Sequence, residues 1–376
     1  MKVLHVTPSY FPATKWGGPI RSTKAICDGI HATPGMKVQV LTTDAASPDR
    51  HDRVIPAALP YPVHFARRVA GHSIAPGLLA RLPAAITWAD VVHLTATYSF
   101  PTLPTLAIAR LLGRPVIWSP RGALQATAEW DDAPNARAKH LFEKAAQVIR
   151  PANTVLHVTS TVEAKGSVAR LPGIATTVIP NCVDIPALPP KTLGDGLRLI
   201  YLGRLHPKKG IDLLLDAMER LPATTTLDIY GTGTPRYDAM LRSRAARFAG
   251  RVRLHGHVEG PAKSTAFAKA DLFVLPSHSE NFGIAVAEAL AHAMPVITTT
   301  GTPWQALDHQ GCGRCIDMVN ADLAAEIIGL TNGDLIAMGR RGRAWMQRDF
   351  SAGAMNAAFA DLYEGVTAPA GERVTV

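Results

Sequence analysis

The sequence predicts an α/β chain of two Rossmann-like domains facing a cleft, and three observations predict it. The chain has 376 residues, room for two domains at about 100–200 residues each. Short apolar runs alternate with stretches of helical spacing, the grammar of a parallel sheet covered on both faces. The alternation stops at residues 183–196 (VDIPALPPKTLGDG), rich in Pro and Gly and without period, and then restarts. The expected domains are therefore 1–186 and 187–354, with a last helix near 355–365 packing back on the first.

Residues 2–7 (KVLHVT) form an apolar run closed by Pro8 and read as a buried strand. A loop punctuated by Gly and Pro follows as far as Gly18. Pro19 suits the first position of a helix reaching about Ile30. Further strands are expected at 37–42, 90–94, 116–119, 154–159 and 176–179, with a helix at 102–112. After the linker, strands are expected at 197–203, 226–230, 252–254, 271–275 and 296–299. Helices are expected at 211–220 and 285–292, the first from its apolar spacing.

Composition narrows the function classes. Hydrophobic residues are 47% and charged ones 18%, so the chain can bury sizeable cores and is not a disordered protein. No run of 18 apolar residues predicts a spanning helix, and the first residues do not read as a signal peptide. The four cysteines are too few for a disulfide framework. Cys312-Gly313-Arg314-Cys315 has the C-x2-C spacing, but no second pair completes a zinc site, so it reads as a turn with two buried thiols. The formal charge is +9, from 39 Lys+Arg against 30 Asp+Glu. Such an excess suits nucleic acid, an anionic membrane or phosphorylated substrates. Nucleic acid is set aside because no Lys/Arg cluster with interleaved aromatics is present. The excess lies in residues 1–186, with 19 Lys+Arg and 11 Asp+Glu; residues 187–376 hold 20 and 19.

Four motifs carry chemistry. Gly203-Arg204-Leu205-His206-Pro207-Lys208-Lys209-Gly210 leaves a strand and opens a helix, where free N–H groups favour anions. Arg204 can clamp phosphate oxygens bidentately and Lys209 adds a point charge, which suits a diphosphate. Glu280-Asn281-Phe282-Gly283 lies in the loop at a strand's carboxyl end, and Glu288 lies in the helix that follows. Two carboxylates so placed can accept hydroxyl hydrogens of a sugar and a ribose. Glu288 is flanked by Ala285, Val286, Ala287, Ala289 and Leu290, and a glutamate in so apolar a helix needs a partner. Gly17-Gly18 at the first strand-to-helix junction lets a ligand meet the backbone. Arg121, in Ser119-Pro120-Arg121-Gly122 after a strand and with Trp130 downstream, can meet an anionic or sugar group. Gly231-Thr232-Gly233 begins like a dinucleotide fingerprint, but position 236 is Arg and Pro235 interrupts the turn, so it is weak evidence for NAD.

These residues together resemble the GT-B retaining glycosyltransferases of family 4 (group 1) type, from residue 2 to about 365. The most specific element is E-x7-E, Glu280 to Glu288; the basic pair of GRLHPKKG, Gly17-Gly18 and Ile179-Pro180-Asn181 support it. SPRGAL at 119–124, Gly301-Thr302-Pro303-Trp304 and Gly311-Cys312-Gly313 are similar to a bacterial branch that builds cell-surface polysaccharides. The resemblance implies that Arg204 and Lys209 bind the donor diphosphate as leaving group. It implies that Glu288 holds the ribose hydroxyls, that Glu280 contacts the donor sugar, and that the backbone of Asn281, Phe282 and Gly283 contacts sugar and phosphate. Gly18 would approach the diphosphate, with Gly17, Arg121 and Trp130 on the acceptor side. Glu280, Arg204 and Lys209 are then the catalytic residues. No metal or other cofactor is implied, and transfer passes through an oxocarbenium-like state with retention. The implied partners are a nucleotide sugar and a glycan or polyprenyl-diphosphate-linked acceptor. The implied place is the cytoplasm, peripheral at the inner face of the cytoplasmic membrane.

Departures are local. Thr95 stands where many relatives have a second His, and Pro120-Arg121 occupies the place of another family histidine. Cys182 and Ala293 stand where Gly is usual, which implies slight backbone strain at both. The alternatives are a GT-B-like sugar-nucleotide epimerase or phosphorylase, and a non-enzymatic two-domain sugar-binding protein.

Overall fold

A computed structural model describes residues 1–49, 51–125, 135–188 and 194–368. The chain divides into two compact units, one from Met1 to Cys182 together with the residues from Ala352 on, the other Val183–Ser351. The breaks fall at 182/183 and 351/352, against a sequence expectation of 186/187 and 354/355. Val183 already belongs to the second core, and its amide donates to the Phe350 carbonyl (2.9 Å).

The first unit holds a seven-stranded sheet of β1 (Lys2–Val6), β2 (Lys37–Thr43), β3 (Val63–Ala66), β4 (Val91–Thr95), β5 (Val116–Ser119), β6 (Thr154–Val158) and β7 (Ala175–Val178). Its order is β3-β2-β1-β4-β5-β6-β7, and every pairing is parallel. Helices α1 (Gly18–Ala32), α2 (Pro76–Trp88), α3 (Thr102–Leu111), α4 (Ala136–Ile149) and α5 (Thr161–Arg170) make the crossovers among the described residues.

The second unit holds β8 (Arg198–Leu202), β9 (Thr226–Tyr230), β10 (Val252–Gly256), β11 (Leu272–Leu275), β12 (Val296–Thr299) and β13 (Gly313–Ile316) in the order β10-β9-β8-β11-β12-β13, also all parallel. Its helices are α6 (Ile211–Arg220), α7 (Pro235–Ala245), α8 (Gly260–Lys269), α9 (Ile284–Ala291), α10 (Leu323–Thr331) and α11 (Leu335–Asp349). A final helix, α12 (Ala352–Thr367), returns to the first unit and packs on α1.

Side chains alternate across each strand, so one sheet serves two cores. In β1, Leu4 and Val6 join the core that holds Leu78 and Leu82 of α2 and Leu106 of α3. Val3 joins the opposite core with Ile26 of α1 and Met355, Phe359 and Tyr363 of α12.

Two strands were not expected. β3 is short and half-exposed at a sheet edge. β13 replaces the expected Cys-x2-Cys turn: Cys312 is buried just before it, Cys315 is half-buried within it, and both thiols are free. The strain expected at two former glycine positions is found at one. Ala293 has φ 53°, whereas Cys182 is not among the described residues of positive φ.

Candidate functional site

Each sheet grows outward in both directions from its first strand, so each has one point where the order reverses. These points lie between β1 and β4 and between β8 and β11. Loops leaving adjoining strands diverge there, which is where open α/β sheets bind ligands.

In the second unit, β8 leads into Gly203 and Arg204, then a single 3-10 turn, Pro207–Lys209, then Gly210 with φ 65° at the start of α6. A Cβ on Gly210 would stand 2.0 Å from the Pro276 carbonyl oxygen. That close approach seats the β8 loop against the β11 loop. There the His278 amide (2.9 Å) and Ser277 Oγ (3.2 Å) both donate to the Lys208 carbonyl.

Glu280 stands on the β11 loop, and its amide donates to the Gly301 carbonyl (2.8 Å) in the loop after β12. Its carboxylate accepts a hydrogen bond from Lys209 Nζ, an ion pair whose side chains are 16% (Lys209) and 14% (Glu280) exposed. The two residues singled out from separate motifs thus meet across the reversal point. Arg204 is exposed, and its guanidinium has no hydrogen bond or ion pair among the described residues.

Glu288 does have the partner its apolar helix demanded. Lys263 Nζ of α8 lies 2.5 Å from its Oε1, and both side chains are mostly buried. Sequence reasoning missed Lys263; the signal was the unpaired Glu288 itself, but its partner lies in another helix, 25 residues away.

The Phe282 side chain is buried. Its ring lies in an aromatic cluster, 5.3 Å from Trp304 and 6.2 Å from Phe350, and its carbonyl accepts from Trp304 Nε1 (2.6 Å). It anchors the loop. Asn281 is half-buried beside it, and Gly283, at φ 75°, begins α9. Gly231, at φ 140°, has a packing role: a Cβ there would lie 1.8 Å from the Gly203 carbonyl oxygen. It lets the β9 loop close on the Arg204 loop, which accounts for the fragment of dinucleotide fingerprint.

In the first unit, Gly17 (φ 87°) and Gly18 precede and open α1, both exposed, with no atom within 4 Å of where a Cβ would stand. The protein's own packing leaves their surroundings open. Lys15 beside them pairs with Asp52 (2.7 Å). Arg121 follows β5 with φ 55°, its Nη1 donating to Asn181 Oδ1 (3.0 Å). Burial pulls its pKa down to about 10, against the pull of Glu163, so it remains a cation at neutral pH. Trp130 lies outside the described residues.

Beneath Arg121 lies a chain of buried histidines. His5 and His157 are pushed down to about 3 by burial first and the nearby Arg121 cation second, and His93 is lowered by burial too. All three are therefore neutral, and the Ile179 carbonyl, which can only accept, fixes the tautomers of His157 and His93. His157 Nε2–H donates to the Ile179 carbonyl (2.9 Å), so its Nδ1 accepts from Ser119 Oγ (2.6 Å). Ser119 Oγ then accepts from His93 Nε2–H (2.7 Å), and His93 Nδ1 accepts from the Tyr363 hydroxyl of α12 (2.6 Å). These histidines hold α12 to the sheet.

Residues 196–332 match the family profile described as Glycosyl transferases group 1. The chain is 29% identical over 303 residues to a glycogen synthase of Mycobacterium tuberculosis, covering 76% of this chain and 70% of that one. It is 32% identical over 176 residues to a phosphatidyl-myo-inositol mannosyltransferase of Mycolicibacterium smegmatis, covering 44% and 45%. Among solved structures it is similar to Anabaena Alr3699/HepE in complex with UDP-glucose, with a TM-score of 0.68 and 19% identity, covering 96% and 99%. The fold is GT-B, and the chain is a glycosyltransferase of that type.

Proposed function

We propose that this glycosyltransferase moves a sugar, with retention and without a metal, from a nucleotide-diphosphate donor to a hydroxyl of a glycan or lipid-linked acceptor in cell-surface or exopolysaccharide synthesis. One observation carries the donor side: Lys209 and Glu280 pair across the β8–β11 reversal point, with the unpaired Arg204 on the same loop. A diphosphate there meets a guanidinium fork and an ammonium, which take up the negative charge that grows on the leaving group. When phosphate draws Lys209 away, the Glu280 carboxylate is released to accept hydroxyl hydrogens of the donor sugar. Glu288, already oriented by Lys263, accepts those of the ribose. The acceptor hydroxyl attacks the face the diphosphate leaves, and a phosphate oxygen takes its proton, so no protein nucleophile is needed. The bound UDP-glucose of the Anabaena neighbour supports a nucleotide-sugar donor.

The acceptor side rests on Gly17, Gly18 and Arg121. Among the described residues no helix is long and apolar enough to cross a membrane. α3 packs on α4; Leu111 of α3 is 84% exposed, Leu141 and Val148 of α4 are each 71% exposed, and Arg110, Arg114 and Arg150 line one hollow at the ends of these helices. That mixture of apolar and basic groups suits a peripheral seat on the anionic inner face of the cytoplasmic membrane. The test is turnover: nucleotide sugars incubated with chelator-treated enzyme and a hydroxyl acceptor, the product anomer read by NMR. Transfer with the donor's anomeric configuration is expected. An inverted product, or activity that returns only with a divalent cation, contradicts the proposal.

A further inference from the structure

The first unit carries unused donors at its own reversal point. Val6 of β1 pairs with Leu94 of β4, and Leu94 with Trp118 of β5, so these three residues form one row across the sheet. Ser9, Thr97 and Arg121 each stand three residues beyond that row. Among the described residues all three have buried polar atoms with no hydrogen-bond partner: Ser9 Oγ, Thr97 Oγ1, and Nε and Nη2 of Arg121. Nε and Nη2 form the edge of a guanidinium that grips two oxygens of one anion side by side, and the Asn181 bond uses the other nitrogen, Nη1. Glu163, the nearby carboxylate, does not serve this edge. Its oxygens accept from the Gly122 amide (2.5 Å) and from the amide and hydroxyl of Thr159 (both 2.7 Å).

The backbone holding these groups is strained and tied down. Arg121 (φ 55°) and Ala96 (φ 78°) are both non-glycine residues in the left-handed region, on adjoining strand ends. The Ala96 amide donates to the Ser119 carbonyl (2.9 Å), and its carbonyl accepts from Trp118 Nε1 (2.9 Å). Such strain persists where the surroundings over-determine it, and it clusters at ligand clamps. A desolvated fork with no acceptor is costly to keep, and a bound anion removes that cost.

We propose that Ser9, Thr97 and Arg121 form an anion subsite that takes a phosphate or carboxylate group of the acceptor, the word acceptor resting on the glycosyltransferase reading above. The full-length protein is titrated with inorganic phosphate, glucuronate and neutral glucose at constant ionic strength, followed by thermal shift and calorimetry. Nucleoside diphosphates are titrated in parallel. Phosphate or glucuronate is expected to raise the melting temperature where glucose does not. Arg121→Lys, which keeps the charge but loses the fork, is expected to weaken the anion at least about tenfold and leave nucleoside diphosphate binding unchanged. Thr97→Val, which only exchanges a hydroxyl for a methyl, is expected to weaken it by a smaller factor, and carries the test if Arg121→Lys does not fold. Anion binding unaltered in these variants, or no anion shift in the parent, overturns the proposal. Loss of nucleoside diphosphate binding in Arg121→Lys assigns the fork to the donor and overturns it too. If nucleoside diphosphates fail to bind the parent while Arg121-dependent phosphate binding persists, the glycosyltransferase reading fails and the subsite stands.

Discussion

The two units share one core strand order but treat charge in opposite ways at the carboxyl ends of their strands. In the second unit the buried cations are matched: Lys209 with Glu280, Lys263 with Glu288. The exposed Arg204, on the same loop as Lys209, has no side-chain partner among the described residues. In the first unit Arg121, at the carboxyl end of β5, has a guanidinium that is only half-matched, with neutral histidines beneath it. Paired groups can exchange one partner for another when a ligand arrives, so the second unit can bind a diphosphate without leaving a charge stranded in its absence. The first unit bears a standing cost until an anion comes. The difference predicts that in the second unit activity separates from stability at the unpaired Arg204 but not at the paired lysines, whereas in the first unit stability is coupled to pH.

The largest effect is expected from Arg204→Ala. Losing a donor that faces developing charge costs about 10²–10³ in kcat. The melting temperature should stay unchanged, because Arg204 has no partner to lose among the described residues. Lys209→Ala should cost activity similarly and also lower the melting temperature, since Glu280 is left mostly buried and unpaired. Equal melting temperatures for the two variants would break the contrast.

The pH effect comes next. His5 and His157 have folded pKa values lowered from 6.5 to about 3. Below pH 6.5 the unfolded chain takes up protons that the folded chain refuses. Stability is therefore full above 6.5 and falls as the pH drops toward 3, by about 1.4 kcal/mol per group per pH unit. Thermal melts at pH 7.5 and pH 5 check this. A first-unit transition that does not move contradicts the neutral-histidine core.

The parallel α/β order, the linker and the residues of the donor motifs were legible because each lies in a strong local pattern: apolar runs, a Pro/Gly break, charges at strand ends. What escaped depends on contacts between distant segments. β3 and β13 are four-residue edge strands whose half-exposed faces give no alternation to read. Lys263 was invisible because nothing within α8 marks it out; only the fold brings it to Glu288. Phe282 was read for its place in the motif, and the cluster that turns it inward includes Trp345 and Phe350, far along the chain. Arg121 was singled out for an anionic or sugar group, but its two unpartnered nitrogens were not foreseen, since burial of one edge of a guanidinium leaves no trace in sequence.

Two smaller effects sharpen the contrast. Lys263→Met should lower stability by about 1–3 kcal/mol and weaken nucleotide binding, because Glu288 loses the group that orients it. Chemical denaturation with a nucleotide titration reads both, and unchanged nucleotide affinity would show that Lys263 orients nothing. Ala293→Gly should raise stability by about 0.5 kcal/mol, relieving φ 53° against the greater freedom of an unfolded glycine. A lowered midpoint of denaturation would show that the left-handed alanine is not strained.

The central claim, that the Arg204–Lys209 loop is a diphosphate clamp, is tested most directly by thermal shift of the full-length protein with UDP, GDP and ADP at millimolar concentration. At a hundredfold excess over Kd a ligand adds about 2.7 kcal/mol to the folded state. At least one nucleotide should raise the melting temperature by several degrees, and Arg204→Ala should abolish that rise. No shift with any of the three, or a shift that survives Arg204→Ala intact, would contradict the account.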